Sequence, residues 1–217
     1  MRELILKMSI SVDGFVAAPA GGLRWSFEPD PEATAWTLAI VSNAGLHIMG
    51  SRTFRDMANF WPTSTEVFAA PMNRIPKAVF SKQRAAAILN AGGATAGLQD
   101  ARAAAGVTQT KELQAGAESW AQAYIATGDL HAEIARLKAQ DGKPIIAHGG
   151  ASFARSLIAE GLVDEFDLMV HPIALGEGMP IFSDLAAPQR LELVSSKAFP
   201  KGAVAQIYRP APSQRAS

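Results

Sequence analysis

The fold of this chain is decided by residues 145–158, which read IIAHGGASFARSLI. The run Ile145 to His148 predicts a short buried strand, and apolar residues from Phe153 onward recur on one side of a following helix. Gly149-Gly150 joins the two elements, and a glycine lets backbone approach a ligand closely. Because free N–H groups at a helix start favour an anion, this junction predicts a phosphate site. A tight turn that needs positive φ is the alternative.

Alternating helices and strands flank this segment. Helical spacing over His131 to Ala139 precedes it, and alternating apolar residues from Phe166 to Val170 follow it. Gly161 stands between them where the glycine that ends a helix belongs. This succession predicts a largely parallel sheet with helices covering its faces.

The rest of the chain extends this sheet. Apolar patterning, with Asp30 as a helix cap, predicts helices at residues 32–44 and 53–59 and strands at residues 3–11, 46–49, 77–81 and 120–126. Residues 191–199 and 203–208 flank Pro200-Lys201-Gly202, so we expect them to pair as an antiparallel hairpin. The predicted fold class is α/β in three layers, with a mostly parallel central sheet, a C-terminal antiparallel hairpin and helices on both faces.

Length and composition favour one large domain. The chain has 217 residues, 48% of them hydrophobic and 18% charged, which is ample apolar material for a core. We expect a single domain over residues 1–210 and a disordered tail over residues 211–217. Residues 83–118 are rich in Ala, Gly, Gln and Thr, so we expect a variable surface insertion that carries no core.

Charge and residue types exclude several classes of function. The formal net charge is +0, so nothing predicts binding to nucleic acid or to an anionic membrane. Lys7 and Asp13 interrupt the apolar start, so no signal peptide is expected, and no run is long enough to span a membrane. With no cysteine there are no disulfides or thiolate ligands, and we expect a cytoplasmic protein. The histidines form no metal-binding pattern, so no metal is expected: they are His47, His131, His148 and His171.

Two further strand ends carry groups that bind phosphate. Gly50 to Phe54 reads GSRTF, in which Arg52 offers a charged fork and Ser51 and Thr53 offer hydroxyls. Capping of the next helix is the alternative role for Thr53. Ser81-Lys82 ends a third strand. Because parallel sheets bind nucleotides at the carboxyl ends of their strands, we expect the site at that edge.

Two other enzyme classes fit the sequence less well. No G-x-G-x-x-G opens the first helix, and Gly176-Glu177-Gly178 is interpreted as a turn. The segment from Gly150 to Ala154 is a degenerate serine nucleophile elbow around Ser152. Its acid and base would have to come from Asp164 or Asp167 with His171, which share one predicted strand and its approach. A serine hydrolase is therefore disfavoured.

Several stretches together resemble the dihydrofolate-reductase-like superfamily, and in particular the reductase domain of bacterial riboflavin biosynthesis. They are MSISVDGFVA near the start, IMGSRTF, KAVFS, and the run from GDLHAEIARLKAQDGKPIIAHGG to HPIALGEGMPIF. The resemblance implies a central sheet with a C-terminal hairpin, bound NADPH, and hydride transfer to a ribosylaminopyrimidine or a pterin-like heterocycle. It also implies a homodimer.

The resemblance assigns roles to the strand ends. Gly50, Ser51, Arg52 and Thr53 with Ser81-Lys82 correspond to the segments that hold adenosine and phosphate groups. Ser9 and Val16 would flank the nicotinamide. The diphosphate loop corresponds to Gly149, Gly150, Ala151, Ser152 and Phe153. Ser51 stands where dihydrofolate reductases commonly have arginine, so Arg52, Arg55 or Lys82 would have to meet the 2'-phosphate.

The resemblance also suggests residues for catalysis and substrate binding. Asp13 lies in the loop that covers the active site in this superfamily and is the catalytic candidate, with an Asx turn as the alternative. Trp25, Asp30 and His171 are the candidate substrate contacts. No deaminase motif precedes the reductase part, so a stand-alone reductase is expected. Dihydrofolate-reductase-like activity and non-catalytic dinucleotide binding are the alternatives.

Overall fold

The computed structural model describes residues 1–27, 30–81, 102–103, 106 and 109–212. Its strands are β1 Leu4–Ser11, β2 Phe15–Ala17, β3 Leu46–Gly50, β4 Lys77–Phe80, β5 Tyr124–Ala126, β6 Ile145–Ala147, β7 Glu165–His171, β8 Met179–Pro180, β9 Leu191–Ala198 and β10 Val204–Pro210. Its helices are α1 Pro31–Ser42, α2 Ser51–Ala58, α3 Ala69–Arg74, α4 Glu118–Ala121, α5 Leu130–Lys138 and α6 Ala151–Ala159.

The main sheet has eight strands in the order β5-β4-β3-β6-β1-β7-β10-β9. The six strands from β5 to β7 are parallel, and β10 and β9 add antiparallel neighbours. β1 is central, since Leu4 lies opposite Ile145 of β6 and Leu6 lies opposite Phe166 of β7. The predicted mostly parallel sheet with a C-terminal hairpin is confirmed.

Helices cover both faces of the sheet because the apolar residues of β1 point both ways. Leu4 and Leu6 are fully buried and pack in one cluster with α5 and α6. Burial of each such leucine contributes roughly 1.5–3 kcal/mol to folding. Ile5 and Ile146 face the other way and pack beside Ile40 of α1. The structure therefore has the three layers that the sequence predicts.

The helix α1 begins as the sequence predicts. Asp30 is its N-cap, and its carboxylate accepts hydrogen bonds from the backbone N–H groups of Glu32 and Ala33. Gly161 is also as predicted: it follows α6 with φ +63, and the next residue, Leu162, donates back to the Leu157 carbonyl.

The predicted strand at residues 120–126 is wrong in its first half. Residues Glu118–Ala121 form the short helix α4, and the strand β5 begins only at Tyr124. Trp120 explains the difference, because its ring is buried and its Nε1 donates to Asn73 Oδ1 at 2.8 Å. A buried indole needs a partner for its N–H, and α4 supplies the geometry that reaches one.

The described part of the expected insertion at residues 83–118 returns to the body of the protein. Ala117 is buried, and Gln109 donates from its side-chain amide to the backbone carbonyls of Asn59 and Phe60. The expectation for residues 83–101, 104–105 and 107–108 of the insertion and for residues 213–217 of the tail lies outside the described residues. Within the ranges that are described, no helix is long and apolar enough to cross a membrane.

Candidate functional site

Two cavities meet at the carboxyl ends of the parallel strands. We call them the groove, of about 570 Å³, and the pocket, of about 490 Å³. They share five lining residues, namely Arg52, Thr53, Gly150, Ala151 and Met179. A long ligand in the groove would therefore reach a second ligand in the pocket.

The groove lies between the starts of two helices. α2 begins after Gly50 and α6 begins after Gly150, and neither glycine supplies a side chain to cap the helix. The first N–H groups of both helices are thus left for a ligand, and the helix dipoles favour a negative one. The alternative role for Thr53, capping of α2, is wrong, because the helix already begins at Ser51 with Gly50 as its N-cap.

The glycines in this region permit close packing that a side chain would disturb. A Cβ on Gly150 would lie 3.1 Å from Thr53 Oγ1, and a Cβ on Gly50 would lie 3.2 Å from the Phe153 Cβ. Gly149 has φ +79, and a Cβ there would meet Met8 Sδ at 2.8 Å. The positive φ of Gly149 shows that the tight turn is present at this junction, while the approach of its backbone to a phosphate stays a prediction.

Arginines give the groove its positive charge. Arg155 is paired, with its Nε 3.2 Å from Asp184 Oδ2. Arg52 is exposed, and within the described residues it has no hydrogen bond or ion pair. Arg55 also lines the groove, is half-buried, and has no side-chain bond to the described residues. Arg52 and Arg55 are therefore the cations of the groove that are available to a phosphate.

The pocket is mainly apolar. Its aromatic and aliphatic wall consists of Val16, Ala17, Leu23, Phe27, Met57, Phe60, Trp61, Phe68 and Met179. Ser9 and Val16, which the resemblance assigns to the nicotinamide, line this pocket. Such a wall with few polar groups suits a flat heterocyclic ligand.

Two polar residues on neighbouring strands form the floor of the pocket. Lys7 lies on β1 and His148 directly follows β6, next to each other because Leu6 lies opposite Ala147. Burial lowers the pKa of Lys7 to about 8, although the nearby Asp167 carboxylate opposes this shift. Burial also lowers the pKa of His148 well below its usual value, so this imidazole is neutral at neutral pH.

Sequence reasoning missed both floor residues. The available signal was Lys7 itself, which interrupts an apolar strand and shares a face with Ser9 two residues on. His148 stands beside the glycine pair, but the histidines form no metal-binding pattern, and the sequence favours ordinary partly buried residues. Both become visible as site residues once β1 and β6 are known to be neighbours.

Arg102 is a third missed residue, and it comes from the insertion. Its guanidinium lies 3.9 Å from the centre of the Phe60 ring, and its Nη2 donates to the Asp56 carbonyl at 3.2 Å. Burial lowers the pKa of Arg102 to about 10, and the Asp56 carboxylate opposes that shift. The side chain remains charged at neutral pH and lines the pocket.

The two-stranded sheet of β2 and β8, which we call the flap, forms one wall of both cavities. Val16 of β2 lines the pocket, and Met179 of β8 lines the pocket and the groove. Asp13 holds the flap from outside: its carboxylate accepts from Ser11 Oγ at 2.6 Å and from the backbone N–H of Gly176 at 2.7 Å. These bonds, with another from Leu175, lower the pKa of Asp13 to about 2.

The structure does not bring Asp13 to either cavity. Its carboxylate is occupied by the loop before β8, so its position favours the turn-forming alternative over the expected catalytic role. A carboxyl with a pKa of about 2 is also unable to donate a proton at neutral pH.

The expected substrate contacts also lie away from the pocket. Asp30 is buried, and its second carboxylate oxygen accepts from the Lys201 N–H, so the expectation of substrate binding is wrong. Trp25 and His171 pack edge to face, with ring centres 5.4 Å apart, and neither lines the cavities of the described chain.

The third strand end is only partly represented. Ser81 follows β4, and its N–H donates to the Ala126 carbonyl, but Phe80 is the residue of this segment that lines the groove. Lys82 lies outside the described residues.

Ser152 is exposed on α6, and its hydroxyl bonds to no residue in the described ranges, so no base is in place for hydrolysis. Those ranges also contain no group of three or more His, Asp or Glu that could hold a metal.

The fold defines the class of protein. The mostly parallel sheet with its antiparallel C-terminal strands is that of dihydrofolate-reductase-like proteins. The chain can be superposed on the dihydrofolate reductase of Enterococcus faecalis with a TM-score of 0.57, 12% identity and 97% coverage of each chain. More particularly, the chain belongs to the RibD C-terminal domain family, whose model matches residues 2–205. The resemblance stated from the sequence is thus confirmed.

Two further comparisons agree with this family. A putative riboflavin biosynthesis protein from Shewanella sp. PV-4 has a TM-score of 0.66 at 21% identity, covering 97% of this chain and 99% of that one. The uncharacterised protein YyaP of Bacillus subtilis (strain 168) is 26% identical over 208 residues, 95% of this chain and 94% of its own length.

Proposed function

We propose that the protein is an NADPH-dependent reductase that transfers hydride to a ribosylaminopyrimidine or pterin-like heterocycle. The observation that carries the proposal is the shared wall of groove and pocket, beside two helix starts without side-chain caps. A dinucleotide has the length and the diphosphate charge to use both features. Membership of the RibD C-terminal domain family supports the same activity.

The residues of the groove fit such a cofactor. The N–H groups after Gly50 and Gly150 would hold the diphosphate, and Arg52 would meet the 2'-phosphate. Ser9 and Val16 would flank the nicotinamide at the pocket. Bound NADPH would supply the hydride, and the protein has to orient the substrate and exclude water.

Lys7 is the group that we propose for the accompanying proton. A heterocycle that accepts hydride also takes up a proton, and a positioned side chain speeds this step. Lys7 faces the pocket, and its Nζ has no hydrogen bond within the described ranges. Its pKa of about 8 keeps it mostly charged at neutral pH and able to release a proton.

Calorimetric titration of the protein with NADPH and, separately, NADH tests the proposal. We expect NADPH to bind more tightly, and Arg52→Ala to weaken NADPH by about 10- to 100-fold while leaving NADH nearly unchanged, since a charge-assisted hydrogen bond contributes about 1.5–3 kcal/mol. Lys143→Ala, at an exposed lysine in the loop before β6, is the matched control. If neither nucleotide binds, the proposal is wrong. Binding without NADPH oxidation over a panel of heterocycles would favour a non-catalytic nucleotide-binding protein.

We also propose, from the family resemblance, that the protein is a homodimer that acts in the cytoplasm. The molar mass of the purified protein, measured by sedimentation equilibrium, tests the first statement. A monomer over the working concentration range contradicts it.

A further inference from the structure

His148 on the pocket floor is held by a second, fully buried histidine. Nε2 of His148 lies 2.9 Å from Nδ1 of His47, and the rings cross at 65°. His47 lies on β3, has no exposed surface, and is opposite Lys77 of β4. Nδ1 of His148 has no hydrogen bond to the described residues and is not buried, so it is open to the pocket.

Both imidazoles are neutral, so one must donate to the other. Burial, and then the charge of Lys77, lower the pKa of His47 to about 3. A neutral imidazole carries its proton on one nitrogen and accepts at the other. The direction of the bond between the two rings therefore decides whether Nδ1 of His148 presents a proton or a lone pair to the pocket.

The surroundings favour a lone pair. His47 of β3 lies on one side of His148, and Lys7 of β1 lies on the other. The charge of the Lys7 ammonium disfavours a proton on Nδ1, the nitrogen of His148 that does not bond to His47. The proton of His148 is therefore on Nε2, which donates to Nδ1 of His47. Lys77 does not bond to the His47 ring, since its Nζ donates to the Asn73 carbonyl and the Ser119 hydroxyl, and Nε2 of His47 has no hydrogen-bond partner in the described residues.

We infer that His47 is a positioning residue that fixes His148 as an acceptor beside the Lys7 donor, and that this pair selects a heterocycle with a lactam edge. In such an edge a ring carbonyl stands next to a ring N–H. The carbonyl would accept from Lys7, and the N–H would donate to Nδ1 of His148. The position of the heterocycle in this inference rests on the proposed function. The geometry of the two histidines does not depend on it.

The discrimination follows from the cost of an unpaired group. A site built to pair a ring N–H loses that bond, and leaves its own acceptor unpaired, when the N–H is blocked. The apolar wall of the pocket would accept ring surface of many kinds. The floor therefore supplies the selectivity that the wall lacks.

The first test reads the tautomer directly. Nitrogen-15 NMR of the histidine rings at neutral pH distinguishes the two neutral forms and needs no ligand. We expect His148 with its proton on Nε2 alone, and a mixture of forms in His47→Phe. His131→Gln, at an exposed histidine of α5, is the matched control and should leave the His148 signals unchanged. A proton on Nδ1, or a charged His148, overturns the inference.

The second test measures binding to the complex with NADP⁺. Lumazine has a lactam edge, 3-methyllumazine has that N–H blocked, and 6-methyllumazine carries its methyl group on carbon. We expect 3-methyllumazine to bind about tenfold more weakly than the other two. We expect His148→Phe to remove this difference in affinity between 3-methyllumazine and the other two compounds. Because His148 is the more exposed histidine of the pair, this variant can replace His47→Phe if His47→Phe does not fold.

The outcomes separate this inference from the proposed function. Failure of NADP⁺ to bind contradicts the reductase, while the NMR result still decides the tautomer. If NADP⁺ binds but all three lumazines bind equally, or none binds, the selection of a lactam edge is wrong.

Discussion

Gly150 is the residue at which the need for a small side chain is most easily tested. Its φ of −66 and ψ of −175 suit any residue, so a substitution there need not disturb the fold. A Cβ would nevertheless lie 3.1 Å from Thr53 Oγ1. The need for a small residue at Gly150 therefore comes from the limited space at the wall that the groove and the pocket share, and not from the backbone conformation.

We predict that Gly150→Val weakens NADPH binding by about 10- to 100-fold, because crowding at a packed site costs about 1–3 kcal/mol. Calorimetry gives the affinity, and thermal unfolding shows whether the fold persists. Gly22→Ala is the matched control, since its φ of −60 is ordinary and a Cβ would lie 3.4 Å from the Ala18 Cβ. Unchanged affinity in Gly150→Val would refute a backbone role in the cofactor site.

Single residues also show how far sequence reasoning reaches into the site. Gly150 and Arg52 could be predicted because each follows a strand within a short local pattern. Lys7 and His148 could not, because their meeting depends on two strands far apart in the chain becoming neighbours. Arg102 reaches the pocket from a segment whose composition carries no periodic signal.

Among the elements, the flap is held by a small set of polar contacts. Asp13 accepts from Leu175 and Gly176, and Gly178 lies so close to β2 that a Cβ would meet the Ala17 carbonyl at 2.2 Å. These contacts hold β8 against β2. They also hold Met179 at the boundary of the two cavities.

We predict that Asp13→Ala speeds hydrogen exchange at the amides of Leu175 and Gly176, because both lose their acceptor. Since the pKa of Asp13 is about 2, the carboxylate is charged throughout the neutral range, so the effect should be equal at pH 5 and pH 8 after correction for intrinsic rates. Asp141→Ala, at an exposed loop aspartate, is the control and should change neither amide. Unaltered exchange at both amides in Asp13→Ala would show that other contacts hold the loop.

The elements differ in how well their sequences predict them. The hairpin of β9 and β10 and the capped helix α1 have strong local signals, and both are found. The flap has none, since β8 is only Met179–Pro180 and pairs with a strand far away in the chain. The helix α4 was also missed, because burial of Trp120 outweighs the apolar pattern around it.

At the scale of the whole molecule, buried basic groups couple stability to pH. Lys77 is 2% exposed, and burial lowers its pKa to about 7, although Glu118 opposes the shift. Between about pH 7 and the ordinary lysine value of 10.5, the unfolded chain therefore binds a proton that the folded chain does not. The free energy of unfolding consequently rises with pH over this window.

We predict that Lys77→Met reduces this slope by up to about 1.4 kcal/mol per pH unit between pH 7 and pH 8, which is the contribution of one proton. Urea unfolding at several pH values measures it. Lys111→Met, which changes an exposed lysine, is the control. Lys138→Met would not serve, because Lys138 is paired with Asp164. Equal slopes in the wild type and Lys77→Met would mean that Lys77 titrates alike in both states.

The central position of β1 has a consequence for synthesis on the ribosome. β1 is made first, but its neighbours start only at Ile145 and Glu165. At about 5–20 residues per second, the nascent strand waits roughly 7–27 s for its first partner. During that time the segment LILKMSIS has no sheet partner, and Lys7 and Ser9 are the polar residues that interrupt its apolar run and disfavour aggregation. Lys7, on the floor of the folded pocket, thus also interrupts the aggregation-prone apolar segment of β1 before the pocket has formed.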